Sequence, residues 1–172
     1  MTSTSTDITA WFAGRLPSEW TRRGAPAVVV DREEITVTLD IEAPHLDDDA
    51  TDSARSEAAA GRIAGFREET REQRMAIARE AEHRFERKVA WGVHTDGHTA
   101  LFTHIAVPAM TRLRQPERQV LDTLIAAGVA KSRADALAWC VKLVGRHTDE
   151  WLADLRRAID DVERIRADGP SV

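Results

Sequence analysis

The sequence has 172 residues, 42% of them hydrophobic and 31% charged, with a net charge of −5. That length and apolar content suit one domain with a sizeable core, or two small ones, and exclude wholesale disorder. No apolar run reaches membrane-spanning length, and the single cysteine, Cys140, excludes an intramolecular disulfide framework.

The charge is unevenly placed. Residues 1–61 carry 5 basic and 12 acidic groups, residues 62–146 carry 15 and 10, and residues 147–172 carry 4 and 7. A polyanion would be drawn to the middle of the chain and repelled by both ends. The opening stretch, MTSTSTDITA, lacks the basic start and apolar core of a signal peptide, so a cytoplasmic protein is expected.

In chain order, Thr6 or Asp7 can cap a short helix that places Ile8, Trp11 and Phe12 on one side and ends before Pro17. The stretch 26–42 then alternates with period two. Ile35, Val37, Leu39 and Ile41 interleave with Thr36, Thr38 and Asp40, and the polar DREE breaks the run, which predicts a β-hairpin with one wet face. The acidic stretch that follows holds Asp47, Asp48 and Asp49 side by side. A Ca²⁺ loop needs spaced oxygen ligands and a glycine-enabled turn, so this is expected to be a solvated linker.

From about 53 to 88 the sequence is rich in helix formers and free of proline, which predicts one long helix with a thin apolar stripe at Ile63, Phe66, Ile77, Ala81 and Phe85. A second hairpin, 88–107, pivots on Asp96-Gly97, a dipeptide suited to the positive φ angles of a type I′ turn. That pivot sets Thr95 against His98, Val93 against Ala100, Trp91 against Phe102 and Val89 against His104. It also places His94 on the opposite face from His98 and His104, so these histidines are not expected to share a metal.

The stretch 116–145 carries the clearest punctuation. Pro116 suits a first helical turn, Val120, Leu121, Leu124 and Ile125 form a stripe, and Gly128 suits a left-handed helix end. Ser132 with Asp135 reads as a capping box for a second helix, whose inner face is expected at Leu137, Val141 and Val144 with a stop at Gly145. A last helix is expected from about Thr148 to Asp168, with Trp151, Leu155, Ile159, Val162 and Ile165 or Arg166 at helical spacing.

No Gly-rich phosphate loop, GxSxG or HExxH is present, and Cys140 reads as an inert thiol in mid-helix, so neither catalysis nor a cofactor nor a metal is expected. The stretch TRLRQPERQVLDTLIAAGVAKSRADALAWCVKLV resembles the ribbon–helix–helix DNA-binding proteins. Pro116-Glu117 matches that family's strand-to-helix junction, and Ser132-Arg133-Ala134-Asp135 matches the start of its second helix. The resemblance implies a homodimer whose paired strands enter the major groove. Thr111, Arg112 and Arg114 would face the groove, and Lys131, Ser132 and Arg133 would lie near phosphate. The remainder of the chain resembles a group of actinobacterial conserved proteins.

Two functions follow as expectations: a non-enzymatic, homodimeric, DNA-binding transcriptional regulator, or a protein-interaction module whose long charged helix meets a partner. The expected fold is α+β. It comprises an antiparallel sheet of two β-hairpins, the long helix, and a C-terminal three-helix segment over 108–172, folded as one unit with residues 1–107.

Overall fold

The computed structural model describes residues 4–47 and 49–169. The chain divides between Pro108 and Ala109 into two compact units. The class is α+β, with a four-stranded sheet and six α-helices among the described residues.

The N-terminal unit opens with α1 (Ser5–Arg15). Its cap is Thr4, earlier than expected. The Thr4 hydroxyl accepts from the Asp7 amide, and the Asp7 carboxylate accepts from the Thr4 amide at 3.1 Å. A 3₁₀ turn (Ser18–Thr21) follows and buries Trp20. Strands β1 (Ala27–Val30) and β2 (Glu34–Asp40) pair antiparallel. Their connection is pinned by Asp31, whose Oδ1 accepts from the amides of Glu33 and Glu34, both at 2.7 Å. Those two bonds favour the ionised carboxyl and hold its pKa below the ordinary value.

The predicted long helix is two helices, α2 (Asp52–Glu69) and α3 (Arg71–Phe85), broken at Thr70. The cause lies in side chains rather than in helix propensity. The Thr70 hydroxyl donates to the Phe66 carbonyl at 2.6 Å and accepts from Arg74 Nε at 2.9 Å. Arg74 Nη2 meanwhile donates to the Arg67 carbonyl at 2.6 Å. A threonine bonding back to the preceding turn bends a helix, and Arg74 satisfies a carbonyl that the break would otherwise orphan.

Strand β3 (Lys88–Thr95) follows, and here the expected antiparallel sheet is corrected. β3 runs parallel to β2, with Ile35 beside Val89, Val37 beside Trp91 and Leu39 beside Val93. The α2–α3 crossover carries the chain back to the starting end of β2, and two strands entering from the same end must be parallel. Strand β4 (His98–Leu101) pairs antiparallel with β3 and sets Thr95 against His98 and Val93 against Ala100. Between them Asp96 and Gly97 take φ values of 46° and 76°, the positive angles of a type I′ turn. The Phe102 amide still bonds the Trp91 carbonyl at 2.7 Å, but the strand does not reach His104.

The sheet order is β1-β2-β3-β4. One face carries Ile35, Val37, Leu39, Val89, Trp91 and Val93, buried against Ile8 and Phe12 of α1, Phe66 of α2 and Ile77 and Phe85 of α3. The Phe12 and Trp20 rings each meet Trp91 edge to face with centroids 6.2 Å apart, a favourable quadrupole geometry. On the other face a Cβ at Gly92 would lie 2.7 Å from Leu101 Cδ2 and 3.1 Å from the Ala100 carbonyl oxygen, so only glycine fits there without movement.

The C-terminal unit contains α4 (Gln115–Ala126), α5 (Arg133–His147) and α6 (Asp149–Asp168). Gly128, with φ 74°, closes α4. Its amide bonds the Ile125 carbonyl and the Val129 amide bonds the Leu124 carbonyl, both at 3.0 Å, a Schellman arrangement. The core joins Leu121, Ala130 and Ala136, with Leu113, Leu124, Ile125, Leu137 and Cys140 packed around them. Two expectations fail. Val120, Val141 and Val144 are exposed, and Gly145 lies inside α5 rather than ending it.

Candidate functional site

The DNA-contact candidates fall into two groups. Thr111 and Arg112 lie exposed in an irregular segment that runs up to α4, and Arg114 is the residue preceding that helix. Among the described residues no strand includes them. The neighbouring Arg118 donates from Nη1 to the Leu113 carbonyl at 2.8 Å and ties the end of the segment to the first turn of α4. Lys131, Ser132 and Arg133 sit together at the start of α5, and no hydrogen bond or ion pair joins them to the first group among the described residues.

The start of α5 is occupied by the protein's own side chains. The Ser132 hydroxyl accepts from the Asp135 amide at 3.2 Å, while Asp135 Oδ2 accepts from the Lys131 amide at 2.9 Å. Arg133 reaches back across the α4–α5 turn to Asp122 in a two-pronged contact of 2.7 and 2.8 Å. That bond lowers the Asp122 pKa and raises that of Arg133, because each charge favours the other. Arg133 thus meets a carboxylate where the family resemblance would place phosphate. The serine cap was legible in the sequence. The Arg133–Asp122 pair, eleven residues apart across a turn, was not.

Sequence reasoning found the apolar spacing of the last helix but not that the stripe lies exposed. Trp151, Leu155, Ile159, Val162 and Ile165 follow one another along α6 at three- and four-residue steps. Their exposures are 60, 41, 57, 54 and 67%. Val141 and Val144 of α5 add a shorter exposed apolar run. The spacing of the α6 stripe was visible. Its exposure follows from the joint before it: only Thr148 separates α5 from α6, and its φ of −128° and ψ of 23° leave no loop. An antiparallel helical hairpin needs roughly 2–5 connecting residues, so α6 cannot fold back along α5 to cover its own stripe.

The N-terminal unit has a cleft of about 260 Å³ at the C-terminal end of β2, with Trp20, Ile41 and Phe66 as apolar wall and Arg22, Asp40 and Glu42 among its polar groups. Asp40 lies 3.8 Å from Arg23 Nε and 3.4 Å from His94 Nδ1. A carboxylate beside an imidazole can orient the ring. Of the described residues lining the cleft, however, the only hydroxyl is that of Thr70, which is buried and donates to the Phe66 carbonyl. The cleft is lined by charged groups of both signs, Glu19, Asp40, Glu42 and Glu69 with Arg22, Arg23 and Arg62. Among the described residues no three His, Cys, Asp or Glu side chains converge as metal ligands, and no helix is long and apolar enough to cross a membrane.

Comparison with known proteins places these features in a family setting. Residues 6–101 match the family described as Rv1265-like protein, N-terminal domain, and residues 114–166 match the Mb1296 C-terminal domain. The chain is 60% identical over 162 residues to the uncharacterized protein Mb1296 of Mycobacterium bovis. The alignment covers 94% of this chain and 70% of the relative. The same figures hold for the uncharacterized protein Rv1265 of Mycobacterium tuberculosis. These mycobacterial relatives agree with the actinobacterial resemblance of the sequence, whereas the matches do not support the ribbon–helix–helix one. No solved structure matches the chain.

Proposed function

This chain belongs to the Rv1265-like protein family, and from that premise we propose that it works as a non-enzymatic assembly module, a homodimer paired through its C-terminal helices. The observation that carries this reading is the exposed stripe of α6, five large apolar side chains that the α5–α6 joint keeps from being covered within the unit. Contiguous apolar surface of this kind marks an association site. The occupant is a second copy of this chain. The C-terminal unit fully buries only Leu121, Ala130 and Ala136 among its described hydrophobic residues, too little to hold three helices firmly. A surface needed for the fold itself must be covered as the chain folds, and a second copy is the partner always present.

Analytical ultracentrifugation of the full chain tests this. The wild type is expected to sediment as a dimer, and the double variant Ile159→Asp/Val162→Asp as a monomer. A wild type that stays monomeric across the concentration range refutes the proposal.

A DNA-binding regulator is the second reading, favoured by one observation. Arg112 and Arg114 are exposed, and neither makes an ion pair among the described residues. On this reading Arg112→Ala and Arg114→Ala each weaken site binding by about 1–3 kcal/mol, and Lys131→Ala flattens the salt dependence by about one unit. Titration of random duplex DNA at two salt concentrations decides it, since affinity that ignores salt is incompatible with phosphate contacts.

A further inference from the structure

Arg74 is the one described arginine of this chain that is buried, 6% exposed, and no carboxylate pairs with it. Its Nε and Nη2 are held by the Thr70 hydroxyl and the Arg67 carbonyl, and its guanidinium carbon lies 4.7 Å from the Phe102 ring centroid. Nη1 donates to no protein acceptor, yet it is not sealed from solvent. The result is a guanidinium fixed in plane, backed by an aromatic ring, with one edge open.

Two more arginines stand around it. Arg67 lies 5.9 Å from the same Phe102 ring, so both guanidinium groups share one aromatic contact. Arg71 lies three residues before Arg74 in α3, the spacing that sets side chains on one helical face, and its charge, like that of Arg67 across the junction, acts on Arg74. Neither forms an ion pair among the described residues, and both are exposed. Burial lowers the Arg74 pKa, the charges of Arg67 and Arg71 lower it further, and Glu68 alone opposes them. By contrast Arg15 is matched by Glu80 at 2.6 Å and Lys88 by Glu82 at 3.0 Å in the same unit.

We propose that Arg67, Arg71 and Arg74 form a binding site for a phosphoryl oxyanion at the α2–α3 junction. Glu68, Glu69 and Glu72 are interleaved with these arginines, yet none of them pairs with Arg67, Arg71 or Arg74. Three cations without an ion-pair partner among the described residues, one of them partly desolvated, offer their charge to a phosphoryl group. Planar guanidinium forks match phosphoryl oxygens, and the fixed plane of Arg74 lowers the ordering cost of binding. The site lies within the N-terminal unit, so it stands or falls independently of the C-terminal association.

The test is calorimetric titration of the full chain at low salt with two probes, pyrophosphate and a short single-stranded oligodeoxynucleotide. Arg67→Gln/Arg71→Gln is the principal variant, because both side chains are exposed and the fold does not depend on them. Binding is expected for the wild type and should weaken by about tenfold per arginine removed, the loss of one charge-assisted contact each. Arg74→Lys keeps the charge but loses the fixed guanidinium plane and its open Nη1, and a comparable weakening with an unchanged circular dichroism spectrum is expected. Pyrophosphate binding that the double variant loses identifies a small phosphorylated ligand. Oligonucleotide binding alone, lost in the same variant and falling with salt, identifies a nucleic-acid backbone. No binding of either probe to the wild type, or equal binding to the double variant, overturns the proposal.

Discussion

In the N-terminal unit the rings of Phe12, Trp20 and Trp91 meet edge to face beneath three helices, whereas Trp151 of the C-terminal unit stands 60% exposed on α6. Both units contain helices with apolar residues at helical spacing. What separates them is the surface offered in return. The sheet presents Ile35, Val37, Leu39, Val89, Trp91 and Val93 as a continuous wall, and α1, α2 and α3 close on it. The C-terminal helices have only one another, and the joint at Thr148 removes one of the possible pairings. Periodicity says which face of a helix is apolar, and the connections decide whether that face is covered.

This contrast can be broken by mutation. Phe12→Ala deletes a fully buried ring at the centre of the N-terminal core and is expected to cost about 3–5 kcal/mol in a urea melt. An effect under about 1 kcal/mol would remove the basis for calling this unit the well-packed one. Leu121→Ala removes the largest buried residue of the C-terminal core and is expected to cost about 2–3 kcal/mol, with a midpoint that rises with protein concentration. A midpoint independent of concentration would mean that this unit holds itself together.

Smaller changes sharpen the comparison. Gly92→Ala pushes the exposed Leu101 side chain aside and sets a methyl 3.1 Å from the Ala100 carbonyl oxygen, and should cost about 1 kcal/mol by the same melt. Ser132→Ala removes the α5 cap and should cost about 1 kcal/mol, read as lost helical signal on heating. The least effect belongs to Asp31. Its folded pKa is depressed, so its contribution to stability is full above the unfolded carboxylate pKa and is lost as pH falls through the folded one. Asp31→Asn should therefore narrow the gap to wild type as acid is added below about pH 4, and a gap that widens there would contradict the hydrogen bonds assigned to it.

Much of the local structure was legible because its causes are local. Asp96-Gly97 specifies a tight turn by its φ angles, Gly128 closes a helix, and Ser132 caps the next one. The break at Thr70 was not legible, because every neighbouring residue favours helix and the cause is a threonine hydroxyl shared with Arg74. The parallel join of β2 and β3 was hidden for a different reason. Two hairpins can be joined either way, and only the path of the crossover decides. At the candidate sites the sequence offered Arg133 as a phosphate ligand while Asp122 already holds it. It gave no sign that Gly145 would continue α5 and so deprive α6 of a turn.

The central parallel pairing also bears on how quickly the chain reaches its structure. Each half of the sheet closes over a turn of a few residues, on the microsecond scale of hairpins. The seam between the halves joins residues 54 apart, as Asp40 and His94 are. That contact cannot form until the whole crossover has been gathered in, and its loop-closure entropy is met before any of the wall between α1 and the sheet exists. The slow step of folding is therefore expected to be the docking of two preformed hairpins, with the α2–α3 crossover as the tether that sets its rate.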